Sequence, residues 1–140
     1  MDTEQALIFS ARHRLGILVT LHHDGRPQTS NIVYAVDGHR VRVSLTDGRV
    51  KTRNLRGDPR ALLHVSTPDG SSWAALEGSA ELSPVTTEPG DEAARALRDL
   101  YTTISGQEHP DWDDYDRAMI QERRVVLTLT VTHGYGGGAG

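Results

Sequence analysis

The 140-residue chain contains no cysteine, which removes disulfides, thiolate metal sites and a cysteine nucleophile from any account of it. Aromatic residues are scarce. With one Phe and two Trp, the core has to be built from aliphatic side chains. No apolar run approaches the ~20 residues that cross a bilayer as a helix. The opening MDTEQALIFSARHR has neither the basic start nor the small-residue cleavage site of a secretion signal, so a soluble cytoplasmic protein is expected. Neither G-x-G-x-x-G nor G-x-x-x-x-G-K-[ST] occurs, and no NAD or ATP site of those types is expected. G-x-S-x-G is missing too. A formal charge of −4 argues against a nucleic-acid binder, whose footprint would be a broad basic face.

What is present is mostly strand. Residues 3–14 place Ala6, Leu7, Ile8 and Ala11 at helical spacing behind Asp2 or Thr3 as N-cap. The period then becomes two. LGILVTLHH sets Leu15, Ile17, Val19 and Leu21 on one face, and Asp24-Gly25 is a hairpin signal. RPQTSNIVYAV reads as a second strand ending at Asp37-Gly38, and HRVRVSL as a third, with Val41, Val43 and Leu45 on one side. Three strands joined by two Asp-Gly turns predict an antiparallel meander. ALLHVS, SWAALEGSAEL and VVLTLTVTH add three more strands, while VKTRNLR, GDEAARALRDLYTTIS and DWDDYDRAMIQER have helical spacing. About six antiparallel strands of this length are expected to close as a small barrel, which removes exposed edges. One apolar face would fill it, and the other would pack on helices or on a second subunit. No linker divides the chain, so one domain over residues 1–134 is expected, with a flexible Gly-rich tail at 135–140.

Charge is distributed unevenly. DGRVKTRNLRGDPR, residues 47–60, holds five of the fifteen Lys and Arg residues and carries +3, while the rest of the chain sums to −7. Arg49 and Lys51 fall where a helix should begin. There the first N–H groups lack partners and the dipole is positive, so a phosphate fits for two reasons. The competing reading is a solvated helix whose arginines pair with surplus carboxylates. Gln28, Ser30 and Asn31 sit mid-strand, where amides are depleted. They form either a polar outer face or hydrogen-bonding groups for the edge of a flat ligand. His22-His23 reads as a polar turn and is a poor chelate, because neighbours on a strand point to opposite faces. The acidic DWDDYD suits the first turn of a helix better than a metal loop, and no metal site is expected.

Taken together, HDGRPQTSNIVY, RVKTRNLRGDPRA, SWAALEGSAEL and DWDDYDRAMI…RRVVLTLTVTH resemble, in collinear order over residues 5–135, the deazaflavin-dependent branch of the pyridoxamine 5'-phosphate oxidase-like family. That resemblance implies a mainly β fold, the antiparallel FMN-binding split β-barrel with flanking helices. It also implies a homodimer with cofactor at the subunit interface, and coenzyme F420 as hydride carrier, with FMN as the alternative. Carried over by motif, Arg49, Val50 and Lys51 would hold the phosphate region beside Ser44 and Leu45. Gln28, Ser30 and Asn31 would face the deazaflavin ring, and Trp73 would reach it from the second subunit. The implied activity is reduction of a conjugated small molecule such as an enone, quinone or tetrapyrrole. An FMN-dependent oxidase-like enzyme and a non-catalytic binder of F420 or haem are the competing readings. Catalytic residues stay unassigned: His22, His23, His133 and Tyr135 are the candidate proton donors.

Overall fold

A computed structural model describes residues 1–138. Seven strands form one antiparallel sheet in the order β2-β1-β5-β6-β7-β4-β3. They are β1 (Leu15–Leu21), β2 (Pro27–Val33), β3 (Ala35–Asp37), β4 (Arg40–Thr46), β5 (Arg60–Ser66), β6 (Trp73–Leu82) and β7 (Arg124–Gly137). The helices are α1 (Thr3–Ala11), α2 (Val50–Gly57), α3 (Glu92–Ser105) and α4 (Trp112–Gln121). The sheet curls into a half-barrel around an aliphatic core that includes Leu18, Val41, Leu63, Leu76, Leu127 and Leu129. The mainly β split-barrel architecture expected from the sequence is the one observed.

Three expectations need correction. The first three strands do not form a meander. β1 pairs with β2 and β3 with β4, but β2 and β3 lie at opposite edges of the sheet. The single strand read through RPQTSNIVYAV breaks at Tyr34. Its ring is fully buried, its N–H donates to the Arg14 carbonyl at 2.9 Å, and its hydroxyl donates to the Ser10 carbonyl at 2.7 Å. The chain thus carries the sheet from one edge to the other without a hydrogen-bonded ladder between β2 and β4, and this is the split. The third correction concerns the tail. Tyr135 pairs with Ala75 and Gly137 with Trp73, so residues 135–137 extend β7; residues 139–140 of the expected flexible tail lie outside the described residues.

The faces of β1 also distribute differently from a simple amphipathic strand. Leu18 and Thr20 are buried, whereas Leu15 is 70 % and Ile17 38 % exposed. The row Leu15, Ile17, Val19 and Leu21 therefore faces outward. Both rows are apolar, so alternation alone does not say which one faces in. Hydrogen bonds in register extend the outer surface across four more strands: Asn31 lies beside Ile17, Ile17 beside His64, His64 beside Ala75, and Ala75 beside Tyr135. Gly78 marks a bulge in β6; a Cβ there would stand 1.9 Å from the Thr130 carbonyl oxygen, so the close approach of β6 to β7 requires glycine.

Candidate functional site

The site lies in the split. β4 ends at Thr46, and a short turn leads into α2 with Arg49 in the N-cap position. Two contacts fix that turn. Thr52 is buried and its hydroxyl donates to the Thr46 carbonyl at 2.7 Å. Asp47 accepts from Arg56 and, at 3.2 Å, from Arg123. Those two bonds, Arg56 first, hold the Asp47 carboxyl below the usual carboxylate range. Arg49 supplies no capping side chain, so the first N–H groups of α2 stay available to an anion in front of the helix.

A cavity of about 490 Å³ opens there between β2 and β4. Asn31 lines it from β2, Ser44 and Leu45 from β4, Arg49 and Lys51 from the start of α2, and Arg124 from the start of β7. Arg124 was not foreseen from the sequence. It stands 73 positions beyond Lys51 and arrives because Thr46 pairs with Arg124 in the β4–β7 ladder. Its guanidinium donates to the Ser44 carbonyl at 3.4 Å and to Glu122 at 2.7 Å. The local hint was the Arg123-Arg124 pair ahead of a strand, but nothing nearby tied it to residues 49–51.

Electrostatics single out this cavity. Of the five cations in the basic stretch, Arg56 pairs with Asp47 and Arg60 with Asp58, as the solvated-helix reading requires. Arg49, Lys51 and Arg53 have no carboxylate partner among the described residues, and of these Arg49 and Lys51 line this cavity. Lys51 is pushed below the ordinary lysine range, chiefly by burial and then by the positive charges of Arg49 and Arg124. Arg49 and Lys51, held together without a carboxylate, raise each other's energy, and a bound anion relieves that repulsion.

The other expected residues are placed elsewhere. Gln28 and Ser30 point to the opposite side of β2 from Asn31. The Gln28 carbonyl oxygen accepts from Thr20 and Ser30, both at 3.3 Å, and Asn54 of α2 donates to Thr20 at 3.1 Å. This network joins β1, β2 and α2 beneath the helix and does not line the cavity. Val50 is the first residue of α2 and is not part of the cavity wall. Trp73 begins β6, stacked on His64 with centroids 5.7 Å apart and in edge contact with Tyr135 at 5.9 Å. Within one chain it does not reach Arg49 or Lys51. No group of three or more His, Asp or Glu side chains suited to a metal is found among the described residues, and DWDDYD opens α4 with Asp111 as its N-cap. No helix is long and apolar enough to cross a membrane.

A sequence model of pyridoxamine 5'-phosphate oxidase matches residues 2–136. The chain belongs to that family. The pyridoxamine 5'-phosphate oxidase fold recurs in solved structures at low identity. A conserved hypothetical protein from Mycobacterium tuberculosis matches with a TM-score of 0.75 and 21 % identity, covering 99 % of this chain and 85 % of that one. An F420 reductase matches with a TM-score of 0.66 and 24 % identity over 95 % of both chains. A heme-binding protein from Mycobacterium smegmatis matches with a TM-score of 0.70 and 27 % identity, with 98 % of this chain covering only 54 % of that one.

Proposed function

We propose that this member of the family is a coenzyme F420-dependent reductase of conjugated small molecules. The observation that carries the reading is the cavity in which Arg49, Lys51 and Arg124 converge at an uncapped helix start while Arg49 and Lys51 lack carboxylate partners. The arrangement fits the phosphate of a planar redox coenzyme. Arg49 and Arg124 offer planar forks, Lys51 a point charge, and α2 its free N–H groups. Ser44 adds a hydroxyl, and Asn31, whose amide makes no hydrogen bond within the described residues, offers a donor and an acceptor to the ring edge.

When bound, the deazaflavin supplies a hydride for an electrophilic carbon of the acceptor, and the protein contributes position and electrostatics. Arg49 and Lys51 would hold the anionic arm, and Asn31 would hydrogen-bond the ring edge from β2. Gln28 and Ser30 act from below, holding β2 and α2 at a constant separation through Thr20 and Asn54. The outward row of β1, with Leu15 and Ile17 open to solvent, is the face on which a second copy would pack. Trp73 would then enter the ring site from the opposite subunit.

FMN also carries a phosphate on its ribityl chain, and an FMN-dependent oxidase-like enzyme would use the same cations. The F420 reading is favoured by the motif resemblance together with a fold neighbour described as an F420 reductase. A fluorescence titration with F420 and FMN side by side separates the two. Saturable quenching or a spectral shift with F420, with weaker or no binding of FMN, supports the proposal. Tight binding of FMN alone, or a protein that purifies yellow with the absorbance spectrum of a flavin, replaces it with the alternative.

A further inference from the structure

We propose that His64 is the residue that gives the proton completing the reduction, in a substrate pocket next to the cofactor cavity; the inference rests on the F420 reading above. A second cavity, of about 350 Å³, opens on the outer face of the sheet and is lined by Asn31, Ile32, Ile17, His64 and Ser66 among others. It shares Asn31 and Ile32 with the cationic cavity, so a ligand held by Arg49 and Lys51 and lying across Asn31 borders it directly. Register gives the scale. Asn31, Ile17 and His64 form one row across β2, β1 and β5, so His64 stands two strand spacings from Asn31, about 9.5 Å. That distance is about the width of one small planar acceptor.

His64 is the one ionisable side chain among the residues lining this second cavity. Its neighbours there are apolar except for Asn31 and Ser66, and the Ser66 hydroxyl donates to the Thr67 carbonyl at 3.0 Å. Neither ring nitrogen of His64 hydrogen-bonds another described residue. Trp73 stacks on the imidazole at 23° between planes and fixes its orientation. In sequence the residue is easily missed, since ALLHVS reads only as an alternating strand.

The chemistry balances with groups already named. A reduced coenzyme held there would supply a hydride to the β-carbon of an enone as the C=C electron pair moves onto the carbonyl oxygen. In the same step the His64 imidazolium would give its proton to that oxygen, leaving an enol, neutral imidazole and oxidised coenzyme, so the rate of coenzyme oxidation depends on the donor. The imidazole regains a proton from water. Other ionisable groups share this outer face at a greater distance: Glu77 on β6, His133 and Tyr135 on β7, and Arg60 on β5, the last held by Asp58. The facing residues of β1 and β2 carry no charge. His64→Gln and His64→Ala therefore separate its contribution from theirs.

The test uses the full chain loaded with F420. Single-turnover oxidation of bound reduced F420 by 2-cyclohexenone is followed from pH 5 to 9, alongside F420 affinity by fluorescence. We expect His64→Gln to lower the rate by about 10²-fold, in line with general acid catalysis, and to abolish a decline toward alkaline pH seen in the parent protein. F420 affinity should change less than twofold. An independent readout is the ¹⁵N-labelled His64 ring resonance, assigned by its loss in His64→Gln. It should shift when phenol, which mimics the product enol, is added with oxidised F420. Intact F420 binding with an unchanged rate and pH profile in His64→Gln, or an unmoved His64 resonance, overturns the role of His64 alone. Failure of the parent protein to bind F420 overturns the cofactor reading and this inference with it.

Discussion

Lys51 bears the cost of the site. Burial and two neighbouring cations disfavour its charged form, so in the ligand-free protein the charge is a destabilising element kept for binding. The sign follows from linkage. A lysine whose folded pKa is depressed carries its penalty while protonated, and the penalty lifts as pH rises through the lowered value. Lys51→Met should therefore melt at the same temperature as the parent protein or higher at pH 7, with the gain shrinking toward alkaline pH. The same variant should lose the thermal stabilisation given by F420. Scanning calorimetry with and without ligand reads both. Asp47 is the opposite case. Its carboxyl is held low by Arg56 and Arg123, so its contribution is present above the unfolded pKa and fades as pH falls through the folded one. The melting temperature of Asp47→Asn should lie below that of the parent protein by a constant amount above about pH 5, and the gap should close below about pH 4.

Among the elements, the break between β2 and β3 decides the architecture. Tyr34 is buried at the crossing, where its hydroxyl meets the Ser10 carbonyl, and burial pushes its phenol well above the usual tyrosine range. Tyr34→Phe removes that bond and leaves the ring in place, at a cost of about 1 kcal/mol measurable by urea denaturation. A loss near zero would mean that the second bond to the Ser10 carbonyl, from the His13 N–H at 3.2 Å, satisfies it alone. The sequence could not announce this break, because every residue from Gln28 to Val36 is compatible with one continuous strand. Local signals did better where the physics is local. Asp37-Gly38 makes the β3–β4 hairpin, with Gly38 at φ 60°. Gly57 is the last residue of α2, and Pro59 follows just beyond it. Asp2 caps α1 with a full capping box. The long-range pairings β4–β7 and β6–β7 left no mark in the pattern, and Arg124 was invisible for that reason.

The half-barrel as a whole presents one face that the fold does not cover. Leu15 and Ile17 point outward there, beside Trp73 and Tyr135 across the sheet. Ile17→Glu puts a charge at the centre of that face without touching the core. We expect the variant to sediment as a monomer in analytical ultracentrifugation and the parent protein as the proposed dimer. A dimer that survives the change, or a monomeric parent protein with full affinity, would separate the cofactor site from assembly. Half of the anion site was readable in advance, since Arg49 and Lys51 follow from charge clustering and helix position. Which cations are paired needed the folded arrangement, in which Arg56 and Arg60 are held by Asp47 and Asp58. The most direct test of the account is a fluorescence titration of F420 into the parent protein and Arg49→Ala/Lys51→Ala. Each charge-assisted contact contributes about 1.5–3 kcal/mol, so the double variant should bind at least about tenfold more weakly while its melting temperature is unchanged or raised. Superimposable curves for the two proteins would contradict it.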